Sequence, residues 1–305
     1  MNTIKNLLIL VMIVTVFSCK NDTPSDGKLN VVTTTSMITD LVENIGGDYI
    51  NIEGLMGSGV DPHLYKASEG DVTKLVKADI IFYNGLHLEG KLVEVFEKMG
   101  SQTKTPIALG EELDKNTLIG SDYFASNYDP HVWFDINYFK QFAQKVTQVL
   151  SEKDPENAEN YKTNEISYLN NLDALQSKLK GIIETLPKEK RILVTAHDAF
   201  NYFGKAYDFE VVGLQGLSTA TEAGVKDVQK LSAFIIKKNI KAIFVESSVP
   251  KRTIEALQAA VRSKDHEVSI GGTLYSDALG NAGTTEGTYI GMFEYNVNTI
   301  VNALK

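Results

Sequence analysis

The chain has 305 residues, 43% hydrophobic and 23% charged, with a formal charge of −9 from 39 acidic and 30 basic residues. Those values exclude a disordered chain, a collagen-like chain and a polytopic membrane protein, and the acidic balance argues against a nucleic-acid binder, which needs a cationic footprint. At roughly 100–200 residues per domain, two compact domains are expected. One cysteine leaves no internal disulfide and no thiolate cage for a metal. The five histidines are His63, His87, His131, His197 and His266.

Residues 1–18 read as a signal segment. Lys5 is their only charge, and Leu7 to Phe17 runs apolar with Thr15 as the one interruption, too short for a comfortable membrane span. The run ends in Val16-Phe17-Ser18-Cys19, and polar residues follow at once. This resembles a bacterial lipoprotein signal, in which the cysteine becomes the lipid-bearing mature N-terminus. Ser18 suits such a box, while Val16 and Phe17 depart from it. The alternative is an ordinary secretory signal with an incidental cysteine. With lipid on Cys19, residues 19–28 form an anchor and flexible tether, and the rest sits outside the cytoplasm.

After the tether, short apolar strands alternate with amphipathic helices, the signature of an α/β fold with parallel sheets. The first half predicts strands at Leu29–Thr33, Ile50–Leu55, Asp79–Tyr83 and His131–Phe134. Its helices are Ser36–Ile45, Asp71–Lys77 and Asn137–Leu150, each with apolar residues at helical spacing. From Pro155 to Leu186, Tyr161, Ile166, Leu169, Leu172, Leu175, Leu179, Ile183 and Leu186 recur, at threes and fours from Ile166 on. Pro155 suits a first turn and Pro187 closes the run. One helix of about 30 residues, roughly 45 Å long, would make a rigid strut between two lobes. A long surface helix on one domain is the plainer alternative. The second half predicts strands Arg191–Thr195, Glu210–Gly213, Lys241–Glu246 and Glu267–Gly271, with helices Val225–Lys238, Arg252–Ser263 and Thr288–Leu304. The expected architecture is two α/β lobes, 29–152 and 189–305, joined by a linking helix within 153–188.

In open parallel sheets, ligands sit outside the carboxyl ends of strands. His63 lies in Asp61-Pro62-His63-Leu64-Tyr65, after the second strand, and His131 lies in Asp129-Pro130-His131-Val132-Trp133. Asp-Pro-His thus occurs twice. The proline stiffens the chain before each imidazole, so less chain entropy is lost on coordinating a metal. His197 follows a strand in Thr195-Ala196-His197-Asp198-Ala199-Phe200, and Asp277 follows the last strand in Ser276-Asp277-Ala278-Leu279-Gly280. Each is weak alone. Together, two from each lobe would place an ion in the cleft. His87 reads as structural, His266 as a surface residue and Trp133 as packing beside the site. Asp61, Asp129 and Asp198 are candidate acceptors for imidazole N–H groups, or caps of local turns.

These residues resemble the TroA-like metal-binding lipoproteins, the solute-binding components of bacterial ABC importers for zinc and manganese. The resemblance extends over the chain after the tether and includes Tyr83-Asn84-Gly85-Leu86-His87-Leu88-Glu89 and Phe244-Val245-Glu246-Ser247-Ser248. It implies that His63, His131, His197 and Asp277 bind the metal, and that one long helix bridges the lobes. Some manganese-dedicated members carry glutamate at the third position, where this chain has His197. Zinc-dedicated members often carry a His- and acid-rich loop between the first two ligands, which is absent here. The pattern is most similar to the three-His, one-Asp subtype that accepts Zn2+ and Mn2+. Imidazoles suit zinc, whereas a carboxylate binding through two oxygens lets coordination expand for manganese; at equal concentration zinc wins on intrinsic affinity.

The expected function is high-affinity capture of zinc or manganese on the extracytoplasmic face of a membrane. The lipid-anchored monomer would deliver the ion to separate ABC permease and ATPase subunits. It would be no enzyme and bind no nucleic acid. Four protein ligands close a site, whereas hydrolytic zinc enzymes keep a position for water. Two alternatives stand beside this: a metal-dependent hydrolase with a three-His site and Asp277 as general base, and a surface adhesin with a structural metal.

Overall fold

A computed structural model describes residues 27–100, 106–122 and 124–305. The signal segment, Cys19 and the tether as far as residue 26 lie outside the described residues. Among the described residues, no helix is long and apolar enough to cross a membrane.

The first lobe is built on four parallel strands, β1 (Leu29–Thr33), β2 (Ile50–Gly54), β3 (Ile80–Tyr83) and β4 (Ile107–Ala108), in the order β2-β1-β3-β4. Its helices are α1 (Ser36–Gly46), α2 (Glu69–Lys77), α3 (Val93–Gly100) and α4 (Ile136–Lys153). Helix α1 buries Met37, Ile38, Leu41, Val42 and Ile45, and stops at Gly47, whose φ of 51° a side chain would disfavour. Helix α2 starts on a capping box in which Ser68 and Asp71 exchange hydrogen bonds. The sequence signal missed β4 and α3, which are short.

The expected strand at His131–Phe134 is instead a 3-10 turn, Val132–Phe134. The Asp129 carboxylate accepts the His131 N–H at 2.9 Å, and Phe134 N–H bonds back to the His131 carbonyl at 3.3 Å. The side chains of Val132, Trp133 and Phe134 are all buried. A short apolar run does not by itself distinguish a buried strand from a buried turn.

Helix α5 (Ala158–Glu184) follows a 3-10 turn at Pro155–Asn157. Its 27 residues span about 40 Å. Tyr168, Leu172, Leu175, Leu179 and Ile183 form its buried stripe, which packs on α1 and α4 of the first lobe. The same helix touches α9 (Tyr289–Leu304) of the second lobe. That lobe pairs β5 (Ile192–Thr195) with β6 (Glu210–Gly213), and β7 (Ala242–Glu246) with β8 (Ser269–Leu274), all parallel, with β5 running beside β7. Helices α6 (Asn201–Tyr207), α7 (Val225–Lys238) and α8 (Arg252–Arg262) complete it. Strand β8 lies a few residues later than the spacing suggested.

The lobes are not separated by solvent. One apolar core runs from Val31 and Leu41 through Trp133, Phe134 and Phe139 into Phe200, Phe203, Tyr289 and Phe293. Phe139 of α4 stacks on Tyr289 of α9 at 3.8 Å and 14°, and Phe134 packs on Phe200 at 4.4 Å. Burying one such ring is worth about 1.5–3 kcal/mol. A wide hinge opening would bare several of them, so access to anything held between the lobes has to come from smaller moves.

Candidate metal centre

All four candidate side chains arise from loops at the carboxyl ends of strands or from the turn before α4. His63 follows β2, His131 opens the 3-10 turn, His197 follows β5 and Asp277 follows β8. The fold brings them together: one donor atom of each lies within 4.8 Å of all the others. The imidazole centroids are 5.3, 5.4 and 5.9 Å apart. Asp277 Oδ2 is 3.2 Å from His197 Nε2 and 3.8 Å from His63 Nε2, and Oδ1 is 3.7 Å from His131 Nε2. His131, His197 and Asp277 are at most 1% exposed, His63 4%.

The three Nε2 atoms and both Asp277 oxygens are buried and have no hydrogen-bond partner. Buried polar atoms without partners are costly and uncommon, so five converging on one point are what a ligand site would present. Two donors on a tetrahedral zinc at about 2.0–2.1 Å lie about 3.3 Å apart. The Asp277–imidazole separations of 3.2 to 3.8 Å bracket that value, and both carboxylate oxygens face imidazoles. Such a set suits a tetrahedral ion or one taking the carboxylate through both oxygens.

The two Asp-Pro-His segments form the same turn twice. In each, one carboxylate oxygen accepts the histidine N–H at 2.9 Å, Asp61 for His63 and Asp129 for His131. The other oxygen accepts from the second lobe: Asp61 Oδ2 from the Thr219 hydroxyl at 2.5 Å, and Asp129 Oδ2 from Asn201 Nδ2 at 3.0 Å. Asp129 Oδ1 is also 2.7 Å from His131 Nδ1, which fixes that ring with Nε2 inward. Asp198 has a different role: its backbone N–H donates to the Gly216 carbonyl at 3.3 Å.

Several supporting residues lie in segments that carry the resemblance, but their roles could not be read there. Glu246, at the end of β7, accepts the His197 N–H at 2.8 Å and lies 2.6 Å from His197 Nδ1. It lies in the Phe244–Ser248 segment that carries the resemblance, and an acid closing an apolar strand is a second signal for it. Gly213 lets β6 approach, since a Cβ there would come within 2.5 Å of the Asp198 nitrogen and 2.7 Å of the His197 carbonyl carbon. Asn84 donates to the Pro130 carbonyl at 3.0 Å and is itself held by Glu89, which also takes the Thr34 hydroxyl at 2.6 Å. Trp133 does more than pack. Its ring lies edge-on to His131, and its indole N–H donates to the Ser276 carbonyl at 3.0 Å, tying the Asp277 loop to the first lobe. His87 is exposed, in a left-handed conformation with its ring near Phe124, and stands outside the group. His266 is half-buried rather than a surface residue.

The electrostatics of the centre pull its groups in opposite directions. Burial opposes a charge on His197, but Glu246 and then Asp277 outweigh it and push that imidazole well above its ordinary value. Burial raises Asp277, yet His197, His131 and His63 together draw it well below the usual carboxylate range. Burial alone dominates at His63, pulling it down to about 3 against the attraction of Asp277.

Residues 31–303 match the family model described as zinc-uptake complex component A periplasmic. The chain is 48% identical over 281 residues to the manganese-binding lipoprotein MntA of Bacillus subtilis, covering 92% of this chain and 91% of that one. It is 47% identical over 283 residues to the zinc-binding protein TroA of Treponema pallidum, covering 93% and 91%. The solved structure of that periplasmic zinc-binding protein superposes with a TM-score of 0.88 over 91% of this chain and 99% of the other. By sequence over nearly its whole described length, and by fold, the chain belongs to the ZnuA/TroA family of metal ABC-transporter substrate-binding proteins.

Proposed function

We propose that this protein captures zinc or manganese on the extracytoplasmic face of a membrane and hands the ion to an ABC permease and its ATPase. His63, His131, His197 and Asp277 are the ligands. The observation that carries this reading is the convergence of five buried, unpartnered donor atoms from two lobes. Relatives named for manganese and for zinc support both ions as cargo. In this reading the chain is a monomer anchored through lipid on Cys19, and it catalyses no reaction. Asp277 supports binding over hydrolysis: both its oxygens face imidazoles, the place of a ligand rather than of a base aimed at water.

The test is elemental analysis of protein purified without added metal, followed by zinc–manganese competition and the same titration on Asp277→Ala. One bound ion per chain is expected. The variant should lose affinity by two to three orders of magnitude, the scale of breaking a buried charge pair (about 3–5 kcal/mol). Near-normal affinity with metal-dependent hydrolysis abolished would establish the hydrolase reading instead.

A further inference from the structure

The two Asp-Pro-His aspartates reach the second lobe through different kinds of partner. Asn201, bonded to Asp129, is the first residue of α6, and Tyr202 beside it donates to the Asp129 carbonyl at 3.1 Å. Tyr202 is fully buried in the aromatic core, while Asn201 is half-buried. Thr219, bonded to Asp61, belongs to the loop 214–224, which has no helix or strand.

The start of this loop is tied to the His197 segment. Leu214 N–H and Gln215 N–H donate to the carbonyls of Thr195 and Ala196 at 3.0 and 2.9 Å, and Gly216 accepts the Asp198 N–H. Its tip then crosses to Asp61, two residues before His63. The Thr219–Asp61 bond therefore links the segment carrying His197 to the turn carrying His63, which is the most exposed of the four candidate ligands at 4%; Thr219 is itself 7% exposed. A depression of about 360 Å³, lined by Phe124, Leu214, Leu217 and Ala223, borders the same loop.

We propose that Thr219 is the release latch of the site: its hydroxyl, bonded to Asp61 from one lobe to the other beside His63, sets how fast the ion leaves. This rests on the metal-binding reading above. It makes Thr219 a positioning residue that never touches the ion. The continuous aromatic core restricts wide opening, so a single bond beside His63 can control escape. The hydrogen bond has a charged acceptor, the stronger class, so its loss should be visible in a rate.

The test uses the full chain in detergent, loaded with zinc or with cobalt(II) as a spectroscopic probe. Zinc release into a chromophoric chelator is followed by stopped flow for wild type, Thr219→Val and Thr219→Ser. The valine variant keeps the shape and removes the hydroxyl; the serine variant restores it. The expected result is release about tenfold faster in T219V, near-wild-type release in T219S, and the same cobalt spectrum in all three. Wild-type release from T219V overturns the latch, as does T219S releasing as fast as T219V. A changed cobalt spectrum in T219V also overturns it, because the effect would then act on the ligands. Failure of wild type to take up either ion would sink the metal-binding reading along with the latch, whereas these variant results sink the latch alone.

Discussion

The two lobes supply two donors each, but they hold them differently. In the second lobe, His197 and Asp277 extend directly from the ends of β5 and β8, and Glu246 clamps both the backbone N–H and the ring of His197. In the first lobe, His63 and His131 hang on loops that Asp-Pro turns stiffen. Within that lobe the two turns also diverge. Asp129 holds the His131 ring, while Asp61 grips the backbone of His63 and reaches Thr219 with its other oxygen. The site thus has a rigid base of His131, His197 and Asp277, and a mouth-side donor, His63, whose carboxylate support is spent on the chain rather than on the ring. A binding protein has to retain its ion and also surrender it, and this division gives each task its own residues.

The largest effects should come from removing imidazoles, and they should be unequal. His131→Ala or His197→Ala takes away an oriented ring and leaves the buried Asp129 or Glu246 carboxylate without its imidazole partner, with an expected loss of about a thousandfold in zinc affinity, on the order of 3–5 kcal/mol. His63→Ala leaves no such orphan at its ring and should lose about ten times less. Chelator-competition titrations of the three variants measure this ordering. Equal losses would erase the distinction between base and mouth.

The next test keeps every proposed ligand and alters its support. Glu246→Gln and Asp129→Asn each remove the charge that orients an imidazole and should weaken zinc binding about 10–100-fold. Asp61→Asn should weaken it less, because the carboxamide oxygen can still accept the His63 N–H. If D61N costs as much as E246Q, the backbone bond matters as much as the ring bond, and the asymmetry within the first lobe is only geometric.

The distinction between base and mouth was only partly legible in the sequence. The alternation of strands and helices gave the parallel pairing in both lobes, and the three–four spacing from Ile166 to Ile183 gave the linking helix. The repeated Asp-Pro-His and the strand-end positions of His197 and Asp277 were local signals, and all four side chains meet. What could not be read depends on contacts distant in sequence. Glu246 supports His197 from another strand, Thr219 meets Asp61 across 158 positions, and Trp133 bonds a carbonyl 143 positions away. No spacing rule encodes these, because the sheet order decides which strand ends become neighbours. The 132–134 turn failed for a local reason: the Asp129 bond that bends the chain is invisible in an apolar pattern.

The smallest expected effect lies at the junction of the lobes, away from the metal centre. Asp40 of α1 is 8% exposed and accepts the Tyr289 N–H at the start of α9 at 3.1 Å and the Tyr168 hydroxyl of α5 at 3.4 Å. One carboxylate thereby joins the first lobe, the linking helix and the second lobe. Burial pushes its pKa up to about 6; the Tyr289 N–H works against this and nearby Glu43 adds to it. The start of a helix favours a negative charge, but here desolvation wins. Unfolded, the group titrates near 3.8. Between about pH 4 and pH 6 the folded chain therefore holds the proton more tightly, and this group's contribution to stability falls as pH rises through that window. Above pH 6 the full cost is present, on the order of 3 kcal/mol. Asp40→Asn keeps an acceptor for both bonds and removes the charge. It should raise stability at pH 7.5 by about 1–2 kcal/mol, a few degrees in Tm, with the gain vanishing near pH 4 and zinc affinity unchanged. Thermal melts of both proteins at pH 4, 6 and 7.5 decide the matter. A variant less stable than wild type at pH 7.5 would mean that the charge at the head of α9 helps to hold the lobes together, and the junction would then join the rigid side of the molecule by electrostatics as well as by its aromatic core.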